Sequence, residues 1–296
     1  MILYCVLIAV VALFSRFFAL LIAVPFVTKL IFAADGQEIL GASRSPALLR
    51  YLGIFTAICA LLVIFKLLPL LQALEIWISV GASPVVFASA LHRFKKYESA
   101  FLTALVPGVL FIGLKNLLFF PYIKLLAEES NQLFMSSIES VFSPEMMESM
   151  YPTLESMKNI MIYGNASLWM ISIVVGIFAG ALIFSKRSSF KWHFNTIKFP
   201  YYIQSGIALG LILFIFKFRI ISFNVLFIVG LLYLIQGYSV LYCYVESMMK
   251  RSKFLGIVMM IIPLFSYILL LVITVAGLLD NWLPLRKFAY HRGDIE

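Results

Sequence analysis

Charge is what this sequence has least of. Asp, Glu, Lys and Arg together make up 12% of its 296 residues, against about a quarter in soluble domains. That scarcity excludes a cytosolic enzyme and a disordered chain, both of which need polar surface to stay in water. Cysteine is scarcer still. Cys5, Cys59 and Cys243 stand apart in apolar stretches, at neither a metal spacing nor an even disulfide count, which excludes a secreted disulfide scaffold. The three histidines, His92, His193 and His291, all lie near basic loops or the tail. The chain has no glycine loop ending in Gly-Lys-Ser/Thr, no His-Glu-x-x-His and no Gly-x-Ser-x-Gly, so phosphate-loop, metalloprotease and hydrolase chemistry have no anchor. We expect a non-enzyme with no cofactor and no metal. The first apolar run lacks a basic leader and a small-residue cleavage site, so it is expected to stay in the mature protein.

What is abundant is hydrocarbon. Hydrophobic residues reach 63%, more than a particle of this size can hide from water, so lipid must be part of its solvent. A spanning helix takes about 20 mostly apolar residues. Met1–Ala33, Leu48–Leu71, Ile76–Leu91, Ala100–Ile123, Leu168–Phe184, Ile203–Phe216, Ile221–Val245 and Phe254–Leu279 are the candidates. The expected fold is an all-α polytopic bundle of about eight spans. With no long polar linker between them, residues 1–296 read as one membrane domain. Arg16 and Pro25 interrupt the first run, which is either one tilted helix or two short ones. Gly81-Ala-Ser-Pro84 interrupts the third, as in a broken or re-entrant helix.

The basic clusters His92–Lys96, Lys186–Arg187 with Lys191 and Lys198, and Lys250–Arg251 with Lys253 alternate along the segments, so all three can face the cytoplasm. Residues 124–164 hold six glutamates and two lysines and fall on the outer side. There Phe134, Ile138, Val141 and Phe142 share a helical face, and Met147, Met150, Leu154, Met157 and Met161 continue a stripe. Ser143-Pro144-Glu145 reads as a helix start between them. We expect an amphipathic helical insertion here, either an interfacial hairpin or a lid. The same alternation puts the tail outside, against the preference of Arg286, Lys287 and Arg292. Its side stays open.

Polar residues inside apolar spans are costly, roughly 2.5–3.5 kcal/mol for a charge at the bilayer centre. Lys29, Lys66 and Glu75 lie near segment ends, where snorkelling explains them. Lys115-Asn116 lies deeper, positioned either to pair with Glu75 or to meet a ligand. Gly176-x-x-x-Gly180 and Gly206-x-x-x-Gly210 flatten helix faces on consecutive segments, which suggests that those two helices pack on each other.

The last third carries a more specific pattern: Trp192-His-Phe, Phe199-Pro200, Asn224 opening an apolar run that holds Gln236-Gly237, then Gly277-Leu-Leu-Asp280-Asn-Trp282-Leu-Pro-Leu-Arg286. Over residues 190–288 this resembles the YybS-like family of bacterial multispan membrane proteins. That family is distantly similar to the S components of energy-coupling-factor vitamin transporters and to MreD-type proteins. The resemblance implies a bacterial cytoplasmic membrane location and a small-molecule binding or transport component. Lys115, Asn116, Asn224, Gln236, Tyr238 and Tyr242 are the candidate ligand residues. Gly176, Gly180, Gly206, Gly210 and Gly237 are candidate packing positions. Asp280 and Arg286 are close enough to pair, and Trp282 suits the headgroup level. The alternative is a non-catalytic membrane scaffold or envelope-assembly factor. Expected partners are the lipid bilayer, a small-molecule ligand and other membrane proteins. Nucleic acid is not among them, since no basic face is interleaved with aromatics outside the spans.

Overall fold

A computed structural model describes residues 1–35, 45–139, 144–187 and 191–287, and every described element is helical. The chain divides into two compact units, Met1–Arg187 and Ser188–Glu296. The boundary falls directly after the basic pair Lys186-Arg187.

The first unit opens on α1 (Ile2–Phe14) and α2 (Arg16–Asp35). Ser15 between them is extended, with φ −158° and ψ 116°, so the first apolar run is two helices. They form a hairpin with its apex at Ser15 and Arg16, because Tyr4 stacks on Phe26 at 4.7 Å between ring centroids. Pro25 stays inside α2. It is tolerated because neighbouring helices in such bundles re-satisfy the freed backbone group. α3 (Ser45–Ile64) follows, then α4 (Leu70–Ile76), a π-helical turn at Trp77–Ala82 and α5 (Ser83–Phe94). Residues Leu70–Phe94 thus run as one helical course. The Gly81-Ala-Ser-Pro84 interruption widens the helix by a turn and does not break it.

A widened turn leaves carbonyls without their usual partners, and in lipid each must find another. Side chains supply them. Tyr51 Oη donates to the Val80 carbonyl at 2.9 Å, Ser79 Oγ to that of Glu75 at 2.6 Å, and Ser83 Oγ to that of Ile78 at 3.0 Å.

α6 (Tyr97–Glu139) is a single helix of 43 residues, about 65 Å at ~1.5 Å per residue. It is twice the length that a bilayer core needs. Its second half is the first part of the expected outer insertion, continuous with the span rather than a separate helix. α7 (Pro144–Tyr163) returns alongside it, and α8 (Asn165–Arg187) re-enters the unit. α7 begins at the expected proline, and Leu154 of the stripe is buried. Val141, Phe142 and Ser143 lie outside the described residues.

α2 is the spine of this unit and packs on α8, α5, α1 and α3. The α8 glycines make that possible. A Cβ at Gly176 would lie 2.7 Å from Leu20 Cδ1, and one at Gly180 would lie 2.8 Å from Val24 Cβ and 3.0 Å from the Leu20 carbonyl.

The second unit is built on α10 (Arg219–Arg251), preceded by α9 (Gln204–Ile215) and followed by α11 (Lys253–Ile261) and α12 (Tyr267–Leu279). α9, α11 and α12 all pack on α10. Gly206 and Gly210 of α9 face Val229 and Leu226 of α10. Each of the two glycine pairs accommodates a spine helix of its own unit.

Among the described residues five helices are long and apolar enough to cross a membrane, or six if the pair Lys253–Phe265 and Tyr267–Leu279, bent by 106°, is one span. The expected count of eight is not reached among the described residues. α1 has only 13 residues, α9 with the turn before it ends after 15 at Ile215, and the last run is folded rather than straight.

Candidate functional site

The first unit brings together three charges that lie far apart in sequence. Glu75, 6% exposed, sits on α4 just before the π-helical turn. Its Oε1 accepts from Lys115 Nζ of α6 at 2.5 Å, and its Oε2 accepts from Arg16 Nη2 at the start of α2. Two cations against one carboxylate leave the cluster with a net positive charge.

Glu75 was expected to snorkel from a segment end, but it is buried in the bundle between the two cations. The helix actually continues to Phe94 and carries the carboxylate into the bundle. Lys66 and Lys29 remain exposed. The backbone of Lys66 is left-handed, φ 57°, where it closes the end of α3, and a cation there meets the negative end of the helix dipole.

Depth follows from helix arithmetic. Phe32 of α2 lies 6.0 Å from the His92 ring, 5.7 Å from the Phe184 ring and 5.5 Å from Lys95 Nζ, which marks the basic end of the unit. At ~1.5 Å per residue, Arg16 lies about 24 Å up α2 from Phe32, and Lys115 about 27 Å up α6 from Tyr97. By the same measure, ~1.5 Å per residue, Glu75 lies about 26 Å from His92 and Trp169 about 23 Å from Phe184. Four helices agree. In a hydrocarbon core about 30 Å thick the cluster sits toward the side opposite the basic loops.

An open cavity of about 330 Å³ adjoins the cluster at the α1–α2 break. Arg16, Ser15, Gln72 and Ser172 line one part of it; Leu13, Phe14, Leu68 and Ile76 line the rest. Among the described residues Arg16 has no hydrogen-bond partner besides Glu75, which leaves the other N–H groups of its guanidinium free. The guanidinium carbon lies 5.9 Å from the centroid of the Trp169 ring. That indole is 6% exposed, and its N–H has no partner among the described residues. The site can therefore offer fixed donors and positive charge in a partly dehydrated recess.

The second unit gathers the C-terminal pattern into one hydrogen-bond network. Gln236, fully buried on α10, accepts the Phe199 backbone N–H at 2.9 Å. Its Nε2 donates to Asp280 Oδ2 at 3.2 Å and Asn281 Oδ1 at 3.1 Å. Asp280 pairs with Arg286, whose Nε lies 3.0 Å from Oδ2. Arg286 also donates to the carbonyls of Asn195 and Ile197. Tyr201 donates to the Asn281 carbonyl, and Tyr244 to that of Leu285 at 2.7 Å.

The motif residues thus bind the middle of α10 and the C-terminal end of α12 to the segment before α9. Arg286→Lys keeps the charge but not the planar fork that reaches one carboxylate and two carbonyls. It is expected to cost about 1–3 kcal/mol through buried acceptors left unpaired, measured as a lower melting temperature in lipid.

The remaining candidates are placed separately. Lys115 joins the charge cluster, with Asn116 half-buried beside it on α6. Asn224 Nδ2 donates back to the Ile220 carbonyl at 2.8 Å on its own helix. Tyr238 is part-buried, its hydroxyl without a partner among the described residues, and Tyr242 meets Phe194 edge-on at 5.5 Å. Trp282 is exposed. Arg16 was legible as an intramembrane charge, but its pairing with a residue 59 positions away was not.

Compared with known proteins, the chain matches no family model, no curated protein and no solved structure. The site's reading rests on its own geometry.

Proposed function

We propose that this membrane-embedded helical protein is a non-catalytic small-molecule binding or transport component of a bacterial cytoplasmic membrane, with its binding seat at the Arg16–Glu75–Lys115 cluster. One observation carries the reading: a charged triad placed among apolar helices adjoins, through Arg16, a cavity of about 330 Å³. Intramembrane charges are expensive, and their presence marks a functional site by default. The YybS-like resemblance of residues 190–288 fits this role through its distant similarity to S components. Gln236, Asp280 and Arg286 then hold the second unit together rather than touch ligand. The test is a melting curve in lipid against a broad metabolite panel. A saturable upward shift is expected for at least one class, and no shift from any compound refutes the reading.

The scaffold alternative draws on a different observation. α6 and α7 run side by side beyond the length of a span, with Leu133, Phe134 and Tyr151 exposed. Crosslinking that recovers a stoichiometric partner through this pair favours it.

A further inference from the structure

We infer that the cavity at the α1–α2 break binds an oxyanion, a phosphate or carboxylate group carried on an apolar body. The inference rests on the binding reading above and names its ligand class.

Three independent features converge on it. The first is charge. Arg16 and Lys115 both pair with Glu75, and Arg16 is the charged residue that lines the recess, so an incoming anion meets a cation there, whereas an incoming cation is repelled by it.

The second is the set of donors. Ser15 and Ser172 present hydroxyls and Gln72 an amide to the same recess as Arg16. None of these side chains makes a hydrogen bond to another described residue. α2 begins at Arg16, so the first N–H groups of a 20-residue helix lack intrahelical acceptors at the cavity wall. A guanidinium, two hydroxyls and helix N–H groups together suit the oxygens of a phosphate or carboxylate.

The third is the other half of the lining. Leu13, Phe14, Leu68 and Ile76 border the recess, and Phe14 is 88% exposed. A wholly hydrophilic ion leaves these surfaces wet, while an anion with an apolar body covers them. The seat's position toward one face of the bilayer matches such a molecule, with its head among the donors and its body against Phe14 and Leu68. The head can belong to a bilayer lipid or to a soluble anion.

The experiment uses the full chain in zwitterionic phosphatidylcholine nanodiscs. Melting is followed with hexyl phosphate, with hexyltrimethylammonium, and with discs that contain phosphatidic acid. Saturable protection by hexyl phosphate alone identifies a soluble anion, and protection by phosphatidic acid alone identifies a lipid headgroup. Either result supports the inference if the cavity variants weaken it. Arg16→Lys keeps the pair with Glu75, so the fold survives, but it loses the fork, and affinity is expected to fall about tenfold. Gln72→Leu and Ser172→Ala do not touch Glu75 and are expected to weaken binding several-fold.

Equal protection by hexyltrimethylammonium, or unchanged affinity in Arg16→Lys, overturns the oxyanion class and leaves the binding reading standing. If neither these probes nor the metabolite panel protects the protein, both readings fall together.

Discussion

Replacing Glu75 with Gln is expected to destabilise the protein by about 3–5 kcal/mol, the range for removing one partner of a buried ion pair. The carboxylate sits between two cations, one on each oxygen. Neutralising it leaves Arg16 and Lys115 facing each other across an amide, in surroundings where charges are weakly screened. Lys115→Met is expected to cost much less, because Glu75 keeps Arg16 and the cluster becomes neutral. Glu75→Gln combined with Lys115→Met should recover most of the loss. Denaturant titration of the three variants in lipid measures this order. If Lys115→Met costs as much as Glu75→Gln, the charge balance proposed for the cluster is wrong.

How much of this was visible in the residues depends on the range of the interaction. The apolar segments were legible because hydropathy is a local property, and every segment is helical, the first and last as two helices each. The π-helical turn was visible only as an irregularity at Gly81–Pro84, since its rescue by Tyr51 comes from another helix. Pro25 read as an interruption but lies inside α2, while the actual break is at Ser15. A serine between apolar residues carries little signal of its own. The glycine pairs announced flat faces without naming the helices that use them. Asp280–Arg286 was legible because six residues across a turn limit where the two can go. The Arg16–Glu75 pair depends on how α2 meets α4, and no periodicity encodes that.

The two units solve the burial of polarity in different ways, and this separates structure from function within one chain. In the second unit the buried polar groups of Gln236, Asp280 and Arg286 bond to protein. These bonds specify one packing, while Asn281 Nδ2, Gln204 Nε2, Ser239 Oγ and the hydroxyls of Tyr233 and Tyr238 are buried without a partner among the described residues. In the first unit the cluster retains a net charge and unused donors beside a cavity. Retaining both is costly for a group that serves packing alone. A charge at a cavity wall, which Gln236 lacks, is the reason for placing the binding seat at Arg16.

Gly277→Ala is expected to be the most damaging small substitution in the second unit. A Cβ there would lie 2.0 Å from the Tyr233 carbonyl oxygen and 2.6 Å from the Gly237 nitrogen. Both are backbone atoms of a long helix, so no rotamer change can relieve the clash. At Gly237 the same crossing places a Cβ 1.9 Å from the Ile273 carbonyl oxygen, so α10 and α12 touch through glycine on both sides. Lipid provides no hydrophobic force to hold separated helices together, and close backbone packing supplies the attraction instead. Prying them apart by about 1.5 Å, enough to restore van der Waals contact, also breaks the Gln236 hydrogen bonds to Asp280 and Asn281. Overpacking typically costs about 1–3 kcal/mol, and each lost hydrogen bond adds about 1 kcal/mol, so the total should exceed about 3 kcal/mol. Gly230→Ala is the control. It lies on α10 with nothing within 4 Å of the added Cβ, and it is expected to be neutral or to stabilise by about 0.5–1 kcal/mol. Melting of the two variants in the same lipid decides the matter, since a similar small change in both means that α10 and α12 do not cross at this distance.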